Sequence, residues 1–142
     1  MFRGVKMGKR WSKLQSKLYE IMIDDFQIHV AIYNQNGITS SRTNKLPRYW
    51  ITIGKEIVFD YPRLCENPYY YPWDSDMSSI SDVIEEYLSY PKSEILNFSS
   101  EKDYYGIAEF LKVCDKRIGK RRFSELKDIL KNEKAIKILE SR

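Results

Sequence analysis

Histidine is almost missing from this chain: His29 stands alone among 142 residues. Hydrolytic triads, histidine-rich zinc sites and phosphohistidine chemistry all lose their usual residue. Two cysteines, Cys65 and Cys114, lie far apart and read as free thiols, with Cys114 on an apolar helix face as a small core residue. Glycine is scarce at six, and no phosphate-cradling loop is built from it. The pairs Gly8-Lys9, Gly54-Lys55 and Gly119-Lys120 fall outside any G-x-x-x-x-G-K-[ST] frame, and G-x-G-x-x-G and G-x-S-x-G do not occur. No apolar run approaches the ~20 residues of a membrane span. Residues 1–10 hold no apolar signal core, so a cytoplasmic protein with no membrane partner is expected. Carboxylate clusters do exist (Asp24-Asp25, Asp74-x-Asp76, Glu85-Glu86), but Asp74-x-Asp76 lacks the glycine and final glutamate of a calcium loop. The expectation is a chain without catalytic residues, metal or cofactor.

Aromatic residues are plentiful instead, with eleven Tyr, six Phe and three Trp. They supply a large burial term, and a chain of this length buries roughly two-thirds of its unfolded surface. One domain is expected.

Charge is unevenly spread. The formal net of +4 combines six bases and no acid over residues 1–19 with eleven acids and three bases over residues 56–103. Residues 104–142 return to eleven bases against six acids. Basic ends and an acidic middle either neutralise each other within the fold or face a charged partner.

Hydrophobic periodicity places the elements. Trp11, Leu14, Leu18, Ile21 and Met22 recur at helical spacing, giving a helix over 9–22 after a flexible start at 1–8. Phe26, Ile28, Val30 and Ile32 alternate with Gln27, His29, Ala31 and Tyr33, the pattern of a half-buried strand. A polar loop runs to Pro47. Residues 48–53 and 56–61 read as two more strands, joined by Gly54-Lys55 in a turn that wants glycine first. Residues 62–78 hold three of the five prolines and no period, and read as a long loop. Helices follow to the end: from Ser79 or Ser81 to about Tyr90; a short one over Lys92–Phe98; one capped by Ser99 or Ser100 that aligns Tyr104, Ile107, Ala108, Leu111 and Cys114; then Phe123–Leu130 and a last one around Ala135, Ile136 and Leu139. Gly119 reads as a left-handed helix stop. The fold class expected is α+β: an N-terminal helix on a three-stranded antiparallel meander (9–61), then a C-terminal helical bundle (79–142).

Two surfaces stand out as candidates. Tyr69, Tyr70, Tyr71, Trp73, Asp74 and Asp76 combine interface-type aromatics with acids, which suits a protein partner carrying a basic surface. Arg3, Lys9, Arg10 and Lys13, with Lys116-Arg117 and Lys120, Arg121 and Arg122, would suit a nucleic-acid backbone. No aromatic pattern of an RNA-recognition or OB type accompanies them.

Lys9-Arg10-Trp11-Ser12-Lys13-Leu14, Tyr49-Trp50-Ile51-Thr52-Ile53-Gly54-Lys55-Glu56-Ile57, Glu85-Glu86-Tyr87-Leu88 and Asp115-Lys116-Arg117-Ile118-Gly119-Lys120-Arg121-Arg122-Phe123 carry a resemblance. In this order they resemble a family of small uncharacterised bacterial proteins first named for an enteric open reading frame. That family opens with an R-W-S-K-L helix, carries a W-I-T-x-(D)-G-K-E-I hairpin and closes near D-[KR]-R-x-G-K-R-[RT]-[LF]. The chain departs from it in the hairpin, where the extra Asp is missing, and in a longer tail after Phe123. The motifs point to a family, not to a chemistry. In size and style such proteins resemble the immunity and accessory proteins of bacterial toxin loci, so the resemblance implies a protein partner such as a basic toxin domain.

Overall fold

A computed structural model describes residues 3–34, 45–61 and 79–142, with side chains over 10–31, 48–60 and 80–142. The chain runs α1 (Arg3–Ile21), β1 (Phe26–Asn34), β2 (Lys45–Ile53), β3 (Glu56–Tyr61), α2 (Ser79–Ser89), a 3-10 segment (Lys92–Asn97), α3 (Ile107–Cys114), α4 (Phe123–Ile129) and α5 (Glu133–Glu140). The sheet is an antiparallel meander in the order β1-β2-β3. This is the expected α+β architecture, and the loops expected at 35–44 and 62–78 lie outside the described residues.

Period-two alternation does what it should on β1. Phe26 and Ile28 are buried and Val30 packs against the core, while Gln27 faces solvent. α1 covers the buried face: Trp11, Leu14 and Leu18 are buried, and Trp11 meets Tyr49 edge-on at 5.3 Å between ring centroids. α1 begins at Arg3 rather than residue 9: residues 3–8 hold no proline, and the cost of Gly4 and Gly8 does not stop backward propagation of a helix already nucleated by its apolar stripe. β2 begins at Lys45 rather than Arg48 and so includes Pro47. Pro47 lies beyond Tyr49–Tyr61, the last β2–β3 pair among the described residues, where its missing N–H costs none of the described bonds to β3. Gly54 takes φ +61° in the β2–β3 turn, the left-handed value that position requires. A register shift opposite Ile51/Thr52 then leaves Val58 and Phe59 both buried at the sheet edge.

The sheet and the helices share one buried cluster, in which Leu18, Met22, Ile28, Tyr49 and Ile51 are continuous with Ile80, Val83, Ile84, Tyr87 and Ile107. Backbone bonds tie the halves as well: Ile23 N donates to Cys114 O at 2.8 Å, and Lys116 N donates to Ile21 O at 2.8 Å. Cys114 is fully buried, as its place on the apolar face of α3 required.

Three local readings change. Gly119 is extended (φ −87°, ψ 171°), not left-handed; α3 already stops at Cys114, because Asp115 is drawn into a bridge with Met22. In this half of the chain the glycine with a left-handed backbone, among the described residues, is Gly106 (φ +81°), at the start of α3. Ser99 and Ser100 do not cap α3; Asp103 does, accepting from Gly106 N, Ile107 N and Ala108 N at 2.8–3.1 Å, and Ser100 closes a small turn on Lys102 N. Tyr104 precedes the helix and is exposed, so the apolar face begins at Ile107.

Candidate functional site

The acidic, aromatic candidates Tyr69, Tyr70, Tyr71, Trp73, Asp74 and Asp76 lie outside the described residues. The acids just beyond them are visible. Asp82, on α2, accepts from Arg10 at 2.6 Å and from Lys102 at 3.1 Å, and Arg10 also reaches Glu85 at 2.9 Å. One candidate nucleic-acid residue, Arg10, is therefore committed to the acidic middle. Burial alone would raise the pKa of Asp82; its bonds to Arg10 and Lys102 outweigh that and hold it below the ordinary value.

The two edges of the sheet differ. At β1, α1 covers the exposed backbone: Gln15 Nε2 donates to Ile28 O at 2.7 Å, and Ile28 N donates to the Tyr19 hydroxyl at 3.2 Å. Such cover prevents a foreign strand from pairing there. β3 has no such cover among the described residues and borders a groove of about 780 Å³. Phe59 and Phe110 form its floor, their ring centroids 5.5 Å apart. Ile57 and Tyr105 are exposed at its rim, facing the start of α5 at Lys131, Asn132, Glu133 and Lys134. Asn132 caps α5 by accepting from Lys134 N and Ala135 N, and Glu109 accepts from Lys131 N and Asn132 N, so this wall is held rigidly. Nothing in the local pattern of β3 marks the groove, which arises only when α3 and α5 close against the sheet edge.

On the outer face of the sheet His29 stacks on Trp50 at 5.1 Å, the Arg48 guanidinium lies 4.4 Å from the same ring, and Arg48 holds Asp60 through two hydrogen bonds. The single histidine is thus packed on an aromatic neighbour. Among the described residues no group of three His, Cys, Asp or Glu could hold a metal ion, and no helix is long and apolar enough to cross a membrane.

The basic candidates divide. Arg3 and Lys9 lie on the first turns of α1, with side chains outside the described ones. Lys13 is exposed, and with Ser12, Ser16 and Lys17 lines a hollow of about 520 Å³. Lys120 and Arg121 are exposed, and Arg122 pairs weakly with Glu125 at 3.8 Å.

Inside the helical half lies a polar centre around Asp115. Asp115 is fully buried. It accepts from the Tyr87 hydroxyl at 2.6 Å, from Arg117 Nη2 at 2.7 Å and from the Arg117 backbone N–H at 2.9 Å. Burial and the Asp115 charge push the Tyr87 hydroxyl pKa far up, so it stays a donor. Arg142 closes the same region by donating to Val113 O, Asp115 O and Ile118 O, with its guanidinium 4.8 Å from the Phe123 ring. Every strong group here is matched by another, an arrangement that locks helices together.

Residues 73–140 match the model of the SF0329 protein family. No curated protein and no solved structure matches the chain. The SF0329-like stretch contains α2 to α5 and the whole Tyr87–Asp115–Arg117 centre, and it continues well past Phe123. α1 and the sheet precede it, so the groove combines β3 with a wall from the SF0329-like part.

Proposed function

We propose that this protein is a non-catalytic, cytoplasmic protein-binding module of the immunity type, covering a basic surface of a partner such as a toxin domain. The groove beside β3 carries the reading. Its apolar floor of Phe59 and Phe110 would seat one apolar anchor of a partner, and anchors of this kind hold most interface energy. β3 leads from the groove directly into residues 62–78, which hold Tyr69, Tyr70, Tyr71, Trp73, Asp74 and Asp76. The groove rim mixes Lys131 and Lys134 with Glu133 and selects neither sign. Preference for a basic partner therefore rests on Asp74 and Asp76, which would speed association.

A photo-reactive residue placed at Ile57 or at Trp73 in living cells should cross-link one and the same protein, while one at Glu94, outside the groove, should not. With that protein purified, Ile57→Asp should weaken binding at least tenfold, about 1.4 kcal/mol. The double reversal Asp74→Lys and Asp76→Lys should slow association and flatten its salt dependence. Unchanged binding in both variants would refute the proposal.

A further inference from the structure

We propose that the exposed face of α1 around Ser12, Lys13, Ser16 and Lys17, together with residues 116–122, binds the phosphate backbone of a nucleic acid without reading its sequence. This is a second surface, separate from the groove. Four observations support it. α1 carries no acid before Glu20. Lys13 and Lys17 are one helical turn apart, both exposed, and form no ion pair with any described residue. Ser12 and Ser16 stand beside them along the same shallow hollow. The bond from Lys116 N to Ile21 O brings the second basic segment to the C-terminal end of this helix, one turn beyond Lys17. In that segment Lys116, Lys120 and Arg121 are exposed and likewise form no ion pair with any described residue.

The chemistry favours a nucleic-acid backbone over other anions. Lysine ammonium and serine hydroxyl groups are ordinary phosphate contacts. A membrane surface would need an apolar face to insert, and the apolar face of α1 (Trp11, Leu14, Leu18) is already buried in the core. An acidic protein would be expected to find an aromatic or apolar anchor, and none of the described residues that line the hollow supplies one. Contacts of this kind are made to the backbone, so binding would depend on salt and not on sequence.

The full chain would be titrated, with anisotropy as readout, against labelled single-stranded RNA of about 20 nucleotides, longer than the ~4–16 nucleotides that a single-strand-binding fold occupies. Duplex DNA of similar length and vesicles rich in phosphatidylserine would form the other arms. Binding to nucleic acid should weaken steeply with salt. The double variant Lys13→Gln/Lys17→Gln should lose at least tenfold in affinity and reduce the salt slope on RNA by about 1.4. Lys120→Gln/Arg121→Gln should weaken binding as well, and Lys92→Gln/Lys137→Gln, both exposed and outside either surface, should not. These residues are exposed, so an unchanged circular dichroism spectrum will show that the variants fold. No binding at low salt, binding to vesicles alone, or an unchanged salt slope in Lys13→Gln/Lys17→Gln would overturn the proposal.

Discussion

Asp115 is where a single residue holds the most. A carboxylate with no solvent exposure is tolerable only when its charge is matched, and Arg117 and Tyr87 do the matching. Arg117→Ala removes the matching cation and should cost about 3–5 kcal/mol in urea unfolding. Tyr87→Phe removes one hydrogen bond to a charged group and should cost about 2 kcal/mol. If Arg117→Ala cost less than Tyr87→Phe, the guanidinium would not be the group that compensates the buried charge. Cys114 offers a second reading of the same interior. Burial pushes its thiol up to about 12, so almost no thiolate exists near pH 8. In a Cys65→Ser background, an aromatic disulfide reagent at that pH should leave the native protein unlabelled and react once per chain in urea. Prompt labelling of the native protein would mean that α3 opens far more readily than its packing implies.

At the scale of the element, the two glycines that flank α3 separate local pattern from tertiary override. Gly106 has a left-handed backbone, so Gly106→Ala should cost about 1–2 kcal/mol although a methyl group would meet no neighbour within 4 Å. Gly119 is extended with equally open space, so Gly119→Ala should be neutral or stabilise by up to about 1 kcal/mol. Asp103→Ala, which removes three accepted bonds at the start of α3, should cost about 1–2 kcal/mol. Thermal melts of the three variants decide the order. The same residues explain what could be read in advance. β1 and β2 were legible because one buried face imposes a period of two, β3 from the Gly54-Lys55 turn and its β-branched and aromatic residues although Val58 and Phe59 are both buried, and α2 because Ile80, Val83, Ile84 and Tyr87 all turn to one side. The end of α3 was not legible: it is set by the bridge between Met22 and Asp115, which leaves no local mark, and a glycine after a basic run is a plausible stop. Of the candidate surfaces, the basic residues of α1 were visible as charge, whereas the groove was not, because Phe59 and Phe110 meet only in the folded chain.

For the whole molecule, segregated charge poses the question of whether the basic ends close on the acidic middle. The described residues give a divided result. Arg10 closes on Asp82 and Glu85 and so fastens α1 to α2, while Lys13 and Lys17 on the same helix stay in solvent. The link also makes stability depend on pH in a definite direction. The pKa of Asp82 is lower in the folded chain than its ordinary value, so protonation is harder in the native state than in the unfolded one. Its contribution is therefore complete above the unfolded value of about 3.9 and is lost as pH falls through the folded value. Asp82 keeps some contact with water and Arg10 and Lys102 keep more, so the contribution should be no more than about 1 kcal/mol. Unfolding measured for the native chain and for Asp82→Asn should differ by a constant amount from about pH 7 down to about pH 5, and the two curves should converge below about pH 4. A gap that instead widened on acidification would show that Asp82 is held above its ordinary value. Burial would then dominate over Arg10 and Lys102, and α1 would be joined to α2 by its apolar stripe alone.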